Sequence, residues 1–179
     1  MTPAAARPQT RYVALLRGVS PSNARMADLA ACFEKLGFTD VRTVLSSGNV
    51  VFTTARMSEA SLANTIEDGM GMHLPRSFPA IVRTASHLQS LLETDPYAAF
   101  DVAPAAKRVV TFLSAPHAGP LALPIALDGA SILAMRGREV FTAYVPGDKG
   151  PVFMTLIEKT FGKQVTTRTW DTVRKCAVA

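Results

Sequence analysis

The chain has few of the residues on which many catalytic centres depend. Only two cysteines and three histidines occur among its 179 residues, and none of them form the closely spaced ligand pairs of a zinc site. Cys32 and Cys176 are far apart and neither belongs to a C-x-x-C pair, a usage typical of a reducing cytoplasmic setting. The sequence therefore predicts no metal site, no cofactor and a cytoplasmic location.

Recognisable phosphate-binding motifs and long apolar runs are also missing. Neither the G-x-x-x-x-G-K-[ST] loop nor the G-x-G-x-x-G fingerprint occurs. No apolar run approaches the roughly 18 residues that cross a bilayer, so no membrane contact is expected. Nothing in the sequence gathers a nucleophile, a base and an orienting group, so no catalytic residue is predicted and a binding protein is favoured over an enzyme.

The composition indicates a folded, basic protein. Hydrophobic residues make up 48% and charged residues 18% of the chain, which is enough apolar material for a core. The 19 lysines and arginines exceed the 14 acidic residues, which gives a net charge of +5. A positive balance favours an anionic partner such as a nucleotide or nucleic acid, although ordinary surface lysines and arginines also explain it.

The first half follows the pattern β-α-β-β-α-β. Short apolar runs predict strands, and apolar residues at helical spacing predict helices that end at Gly37 and Gly71. The predicted strands are Tyr12–Leu16, Val41–Leu45, Val50–Phe52 and Phe78–Val82, and the helices begin at Met26 and after Ser58. This order is the ferredoxin-like one, in which the first and third strands are central.

The second half repeats the same order with little residue similarity. The predicted strands are Val109–Leu113, Ser131–Met135, Val140–Val145 and Val165–Thr169, with helices at Leu121–Leu127, from Pro151, and from a cap at Asp171. We therefore predict an α+β protein of two tandem ferredoxin-like subdomains with antiparallel sheets. A flexible tail (1–10) precedes the first subdomain with its trailing helix (11–96), and a linker (97–106) leads to the second subdomain with its C-terminal helix (107–179).

Several segments together resemble one bacterial family, domain of unknown function 1697. They are Leu15–Gly18, Leu36–Thr43, Ser47–Phe52, Val82–Thr84, Val110–Leu113 and Thr166–Val173. The resemblance covers nearly the whole chain after the tail and implies a cytoplasmic α+β protein with two related subdomains. It implies no particular activity.

Three loops depart from the pattern of that family. The loop after Gly18 lacks the family's asparagine and glycine pair, the late segment has Thr169 and Asp171 in place of two asparagines, and the loop at 147–152 is poorer in glycine. If these loops form a site shared by the family, its polar lining differs in this chain.

Cations at the ends of elements are the candidate ligand-binding residues. Arg17 follows the first strand, Lys149 precedes a helix start, where free N–H groups favour anions, and Arg168 lies near the last helix. Asn49 is a further candidate, although the hairpin turn alone explains a Gly-Asn pair. The leading hypothesis is a protein that binds a phosphate-bearing ligand, nucleotide or nucleic acid.

Two alternatives stay open. One is an enzyme that acts on a small metabolite in a cleft between the subdomains. The other is a protein-interaction or homodimer module that uses an uncovered sheet face. A base-stacking sheet of the RNA-recognition type is disfavoured, because the central strands carry few aromatics and those residues fit a core better.

Overall fold

A computed structural model describes residues 5–147 and 152–179, and within them it has nine strands and five helices. The strands are β1 (Gln9–Leu16), β2 (Thr39–Val44), β3 (Asn49–Ala55), β4 (Ala80–Thr84), β5 (Lys107–Leu113), β6 (Ile125–Leu127), β7 (Ala130–Arg136), β8 (Glu139–Tyr144) and β9 (Val165–Thr169). The helices are α1 (Met26–Lys35), α2 (Glu59–His73), α3 (Ala85–Thr94), α4 (Val152–Phe161) and α5 (Trp170–Val178). The mixed α and β composition with two antiparallel sheets is as predicted.

The chain divides into two compact units. The first extends to Gln89 and includes Lys175–Ala179, and the second comprises Ser90–Arg174. The boundaries therefore fall within α3 and α5. No described helix is both long and apolar enough to cross a membrane.

The sheet of the first unit has the order β2-β3-β1-β4, with every neighbouring pair antiparallel. The prediction that the first and third strands are central is confirmed, and their apolar composition explains it. Tyr12, Ala14 and Phe52 face a core that also contains Phe33 of α1 and Ile66 of α2.

The opposite side of the same central strands is buried as well. Val13, Leu15 and Val51 alternate with the core residues and are 0–1% exposed. The edge strand β4 carries Arg83, which is also buried and lies 3.7 Å from a carboxylate oxygen of Glu59. The uncovered sheet face on which the interaction-module alternative depends is therefore not found on the central strands of this unit.

The second unit corrects the predicted repeat. Its sheet has the order β6-β7-β8-β5-β9, and a strand stands where a helix was predicted at Leu121–Leu127. Pro124 has no N–H to donate within a helix, and the three residues of β6 instead pair with β7, with Ile125 opposite Ile132. Because that helix is not formed, the second half does not have the predicted β-α-β-β-α-β element order.

The helix caps confirm one local prediction and correct another. Ser58 caps α2 as predicted, since its Oγ accepts a hydrogen bond from the Ser61 N–H at 3.1 Å. The cap of α5 was wrongly assigned to Asp171, which lies in the first turn, because the Thr169 hydroxyl accepts the Thr172 N–H at 3.2 Å. The strand β9 is an edge strand, as predicted.

Two segments expected to lie outside the subdomains take part in the units. The strand β1 begins at Gln9, which pairs with Ala55 of β3. Tyr97, in the predicted linker, is buried in the second unit, where its hydroxyl donates to the Val109 carbonyl at 2.8 Å and its ring meets Trp170 edge to face. Burial raises the pKa of Tyr97 above its usual value.

Candidate functional site

The strand register of the first unit brings two loops together. Antiparallel pairing sets Leu16, the last residue of β1, opposite Ala80, the first residue of β4. The Arg17 N–H continues this contact by donating to the Pro79 carbonyl at 2.9 Å. The loop that leads from β1 to α1 therefore lies beside the segment that leads from α2 to β4.

The β1–α1 loop is held in shape by its own polar side chains. Asn23 Nδ2 donates to the Gly18 carbonyl at 2.8 Å, while Asn23 Oδ1 accepts the Ser20 N–H at 2.9 Å. The hydroxyls of Ser20 and Ser22 are 2.8 Å apart. Asparagine commonly closes turns in this way, and here it fixes the path of the loop into α1.

A groove of about 380 Å³ lies between these two loops. We call it the arginine groove, after the two arginines in its lining. It is lined by Pro21, Ser22, Asn23, Ala24, Arg25, Asp28, Leu29, Leu74, Pro75, Arg76 and Phe78. Leu29 and Phe78 are buried and form an apolar base, whereas Arg25, Asp28 and Arg76 are exposed.

The start of α1 forms part of this lining. Arg25 is the N-cap residue, with φ −91° and ψ 136°, and its side chain makes no capping hydrogen bond. Helix geometry leaves the first N–H groups of α1 without partners inside the helix. Positive potential from these groups and from Arg25 favours an anion, and the carboxylate of Asp28 in the first turn offsets part of it.

Arg76 reaches the groove from the other side and is supported by an aromatic ring. Its guanidinium carbon lies 5.1 Å from the centroid of the Phe78 ring. A guanidinium over a ring face is attracted by the ring's quadrupole and still directs its N–H donors outward. The lining of the groove thus combines two arginines, a single carboxylate and several apolar side chains.

The predicted site residues have different surroundings from those expected. Arg17 is half-buried at the foot of the β1–α1 loop and is not among the residues that line the groove. Asn49 is buried, and its Nδ2 donates to the Val44 carbonyl at 2.9 Å and to Ser47 Oγ at 3.1 Å, which braces the hairpin turn. Both belong to the first unit.

The other two predicted residues are elsewhere in the chain. Arg168 belongs to the second unit and is buried, and its Nη1 donates to Thr166 Oγ1 at 2.7 Å and to the Thr167 carbonyl at 2.8 Å. Lys149 lies outside the described residues. The role of these four residues in ligand binding stays a prediction.

Sequence reasoning missed Arg25 and Arg76, although a signal for both was present. Arg25 stands directly before a helix and Arg76 shortly before a strand. The predicted strand order already placed the end of the first strand beside the start of the fourth. Combining that order with the positions of the arginines would have placed both loops on one edge of the sheet.

The second unit has a smaller groove in the corresponding place. Leu113, which ends β5, pairs with Val165, which begins β9, so the segment after β5 lies beside the one before β9. The resulting groove of about 240 Å³ is lined by Leu113, Ser114, Ala115, Pro116, His117, Ala118, Phe161, Gln164 and Val165. The His117 ring packs edge to face on Phe161, with centroids 5.2 Å apart, and the lining contains no lysine or arginine.

Clusters of metal-binding side chains are not found in the described part of the chain. Across residues 5–147 and 152–179, no group of three or more His, Cys, Asp or Glu is placed to hold a metal ion. Cys32 is buried, and burial raises its pKa above the usual range, which disfavours the reactive thiolate.

Comparisons with known proteins agree with the resemblance seen in the sequence. The family described as "Protein of unknown function (DUF1697)" matches residues 9–141. The fold is similar to that of the conserved bacterial protein SP0830 from Streptococcus pneumoniae, with a TM-score of 0.71 and 21% identity over 96% of this chain and 98% of that one. No curated protein matches the chain. The chain belongs to the DUF1697 family of proteins of unknown function.

Proposed function

We propose that this protein binds a phosphate-bearing ligand in the arginine groove. The observation that carries the proposal is the approach of Arg25 and Arg76, from loops far apart in the sequence, to one groove in a single unit. Guanidinium groups bind phosphate through paired N–H donors, and charge-assisted hydrogen bonds of this kind are stronger than neutral ones.

The surroundings of the arginines favour an anion of limited charge. The open start of α1 adds N–H donors to those of Arg25, and the loop held by Asn23 keeps these donors in place before a ligand arrives. Asp28 contributes one negative charge to the same lining. The net positive charge of the whole chain, +5, supports the approach of an anion from solution.

We also propose that both units are variants of one ferredoxin-like plan. In the first unit the neighbours are β2-β3-β1-β4, and in the second β7-β8-β5-β9 have the same neighbour relations, with β6 added at the edge. All of these pairs are antiparallel. This correspondence supports reading the two grooves as equivalent positions, of which only the first has arginines.

The test is a titration of the full chain with inorganic phosphate and with a nucleoside monophosphate, followed by isothermal calorimetry at low and moderate salt. The double variant Arg25→Ala/Arg76→Ala is compared with Arg56→Ala, which removes an exposed arginine of the same unit outside the groove. Loss of a hydrogen bond to a charged group costs about 1.5–3 kcal/mol, so each groove substitution should weaken binding roughly tenfold or more.

The control should bind within about twofold of the unchanged protein, because surface charges outside a site contribute little to affinity. Salt should weaken binding to the unchanged protein, since exposed charges are screened. Equal affinity in the double variant, or no binding of either ligand at low salt, contradicts the proposal.

A further inference from the structure

We infer that the ligand of the arginine groove is a free ribonucleotide and that Asp28 selects it by accepting hydrogen bonds from the ribose hydroxyls. This inference rests on the proposed function and goes beyond it. A carboxylate beside two arginines weakens the binding of inorganic phosphate or of a nucleic-acid backbone, so its presence in the lining favours a ligand that also carries hydroxyl donors.

The carboxylate of Asp28 restricts the kind of ligand that the groove can bind. An ionised carboxylate only accepts hydrogen bonds, and it repels a neighbouring phosphate. Asp28 is exposed in the first turn of α1 and lines the same groove as Arg25 and Arg76. A ligand that satisfies all three groups therefore has an anionic end and hydroxyl donors a short distance away, as a ribose phosphate does.

The contact between Arg76 and Phe78 favours a ligand with a flat ring. The guanidinium carbon of Arg76 lies over the Phe78 ring, 5.1 Å from its centroid. Arginine planes also stack on nucleic-acid bases, and Arg76 is exposed, so its guanidinium can contact a base. Leu74 and Pro75 add apolar surface to the same lining, which suits a flat ring better than a second phosphate.

The volume of the groove suits a small organic ligand. At about 380 Å³ the groove falls within the range of sites for small organic ligands, which begins near 300 Å³. The lining has two arginines and one aspartate, which is less positive charge than a groove that follows several phosphates of a single strand would have. The geometry therefore favours one nucleotide over a strand.

The test compares adenosine 5′-monophosphate, its 2′-deoxy analogue, inorganic phosphate and a single-stranded oligonucleotide. The unchanged chain should bind the ribonucleotide about tenfold more tightly than the deoxy analogue, because a site built around a hydroxyl rejects ligands that lack it. Asp28→Asn should reduce this preference to about twofold or less and should raise the affinity for inorganic phosphate severalfold, since a repulsive charge is removed.

Glu34→Gln is the matched control, because it removes an exposed carboxylate from the same helix outside the groove. It should leave both the ribose preference and phosphate binding unchanged. Circular dichroism confirms that each variant is folded before binding is compared.

The outcomes separate this inference from the proposed function. If Arg25→Ala/Arg76→Ala abolishes binding while Asp28→Asn keeps the full ribose preference, the ribonucleotide inference is wrong and phosphate binding in the groove stands. An oligonucleotide that binds more tightly than the mononucleotide also overturns the inference. If none of the four ligands binds the unchanged chain, both proposals fail.

Discussion

The guanidinium carbon of Arg76 lies 5.1 Å from the centroid of the Phe78 ring, where an exposed cation rests on a buried aromatic side chain. Phe78 belongs to the core of the first unit, so the ring is fixed by packing. A cation held against a fixed ring loses less freedom when it binds a ligand than a free surface arginine does. This contact is the reason why Arg76 is central to the binding proposal.

Replacing Arg76 with lysine tests whether the shape of the guanidinium matters in addition to its charge. A lysine keeps the charge but has no planar fork, so Arg76→Lys should weaken nucleotide binding by about 1 kcal/mol or more. The free energy of unfolding should change by less than about 1 kcal/mol, because an exposed cation–π contact contributes no more than that. Calorimetry and urea unfolding measure the two quantities, and unchanged affinity in Arg76→Lys would count against bidentate recognition.

Asn23 should matter for binding through the shape of the loop. Asn23→Ala removes the hydrogen bonds to the Gly18 carbonyl and from the Ser20 N–H, which together should lower the free energy of unfolding by about 1–2 kcal/mol. Nucleotide affinity should also fall severalfold, because the donors at the start of α1 are no longer held in place. Asn23→Ser has a shorter side chain that can keep part of the turn, so its nucleotide affinity should lie between those of the unchanged protein and Asn23→Ala. Equal affinity in all three proteins would show that the loop needs no such support.

Two glycines with similar backbone angles should differ in their tolerance of alanine. Gly18 and Gly48 both have positive φ, +81° and +86°, so either substitution is strained by about 1–2 kcal/mol. A Cβ at Gly48 would also lie 2.8 Å from the Cβ of Val19, whereas one at Gly18 would meet no atom within 4 Å. Chemical denaturation should therefore show that Gly48→Ala lowers the free energy of unfolding by about 1–3 kcal/mol more than Gly18→Ala does. Equal decreases would refute the close packing of the turn.

Tyr97 should make the free energy of unfolding of the second unit depend on pH in the alkaline range. Burial raises the pKa of its hydroxyl in the folded protein, so the contribution of Tyr97 is fully present below the usual tyrosine pKa of about 10 and is lost as the pH rises above it. Tyr97→Phe should be less stable at neutral pH by about 1–2 kcal/mol, because the Val109 carbonyl loses its donor. The difference in the free energy of unfolding between Tyr97→Phe and the unchanged protein should shrink above about pH 10. A difference that stays constant with pH would contradict the role of the buried hydroxyl.

The first unit was the more predictable half because its local signals agree with its packing. Val50, Val51 and Phe52 are apolar on both sides of the strand, and the structure buries all three at the sheet centre. Ser58 marks the start of a helix because its hydroxyl accepts a first-turn N–H. Gly37 marks the end of a helix because it adopts a φ of +87°, which glycine tolerates.

The second unit shows the limits of a single sequence. The apolar residues at Leu121–Leu127 fit a short helix by spacing, but cross-strand pairing of Ile125 with Ile132 decided the outcome. Tyr97 appeared to lie in a linker because its partners, Val109 and Trp170, come later in the chain and only folding brings them together.

The same limit applied to the candidate site. Arg168 was conspicuous in the sequence, yet its guanidinium is buried against Thr166 and Thr167. The burial of Arg168 cannot be read from spacing, because it depends on tertiary packing. The place of Arg25 and Arg76 in one groove can be anticipated only when the strand order is combined with their positions in the sequence.

Amide chemical shifts of the ¹⁵N-labelled chain show most directly whether an anionic ligand binds in the arginine groove. Titration with adenosine 5′-monophosphate at low salt should move the amide signals of Asn23, Ala27, Asp28 and Arg76 in proportion to occupancy. The signals of Ser114, His117 and Gln164, which line the groove without arginines, should stay in place. Shifts confined to the second set, or spread evenly over the chain, would contradict the account.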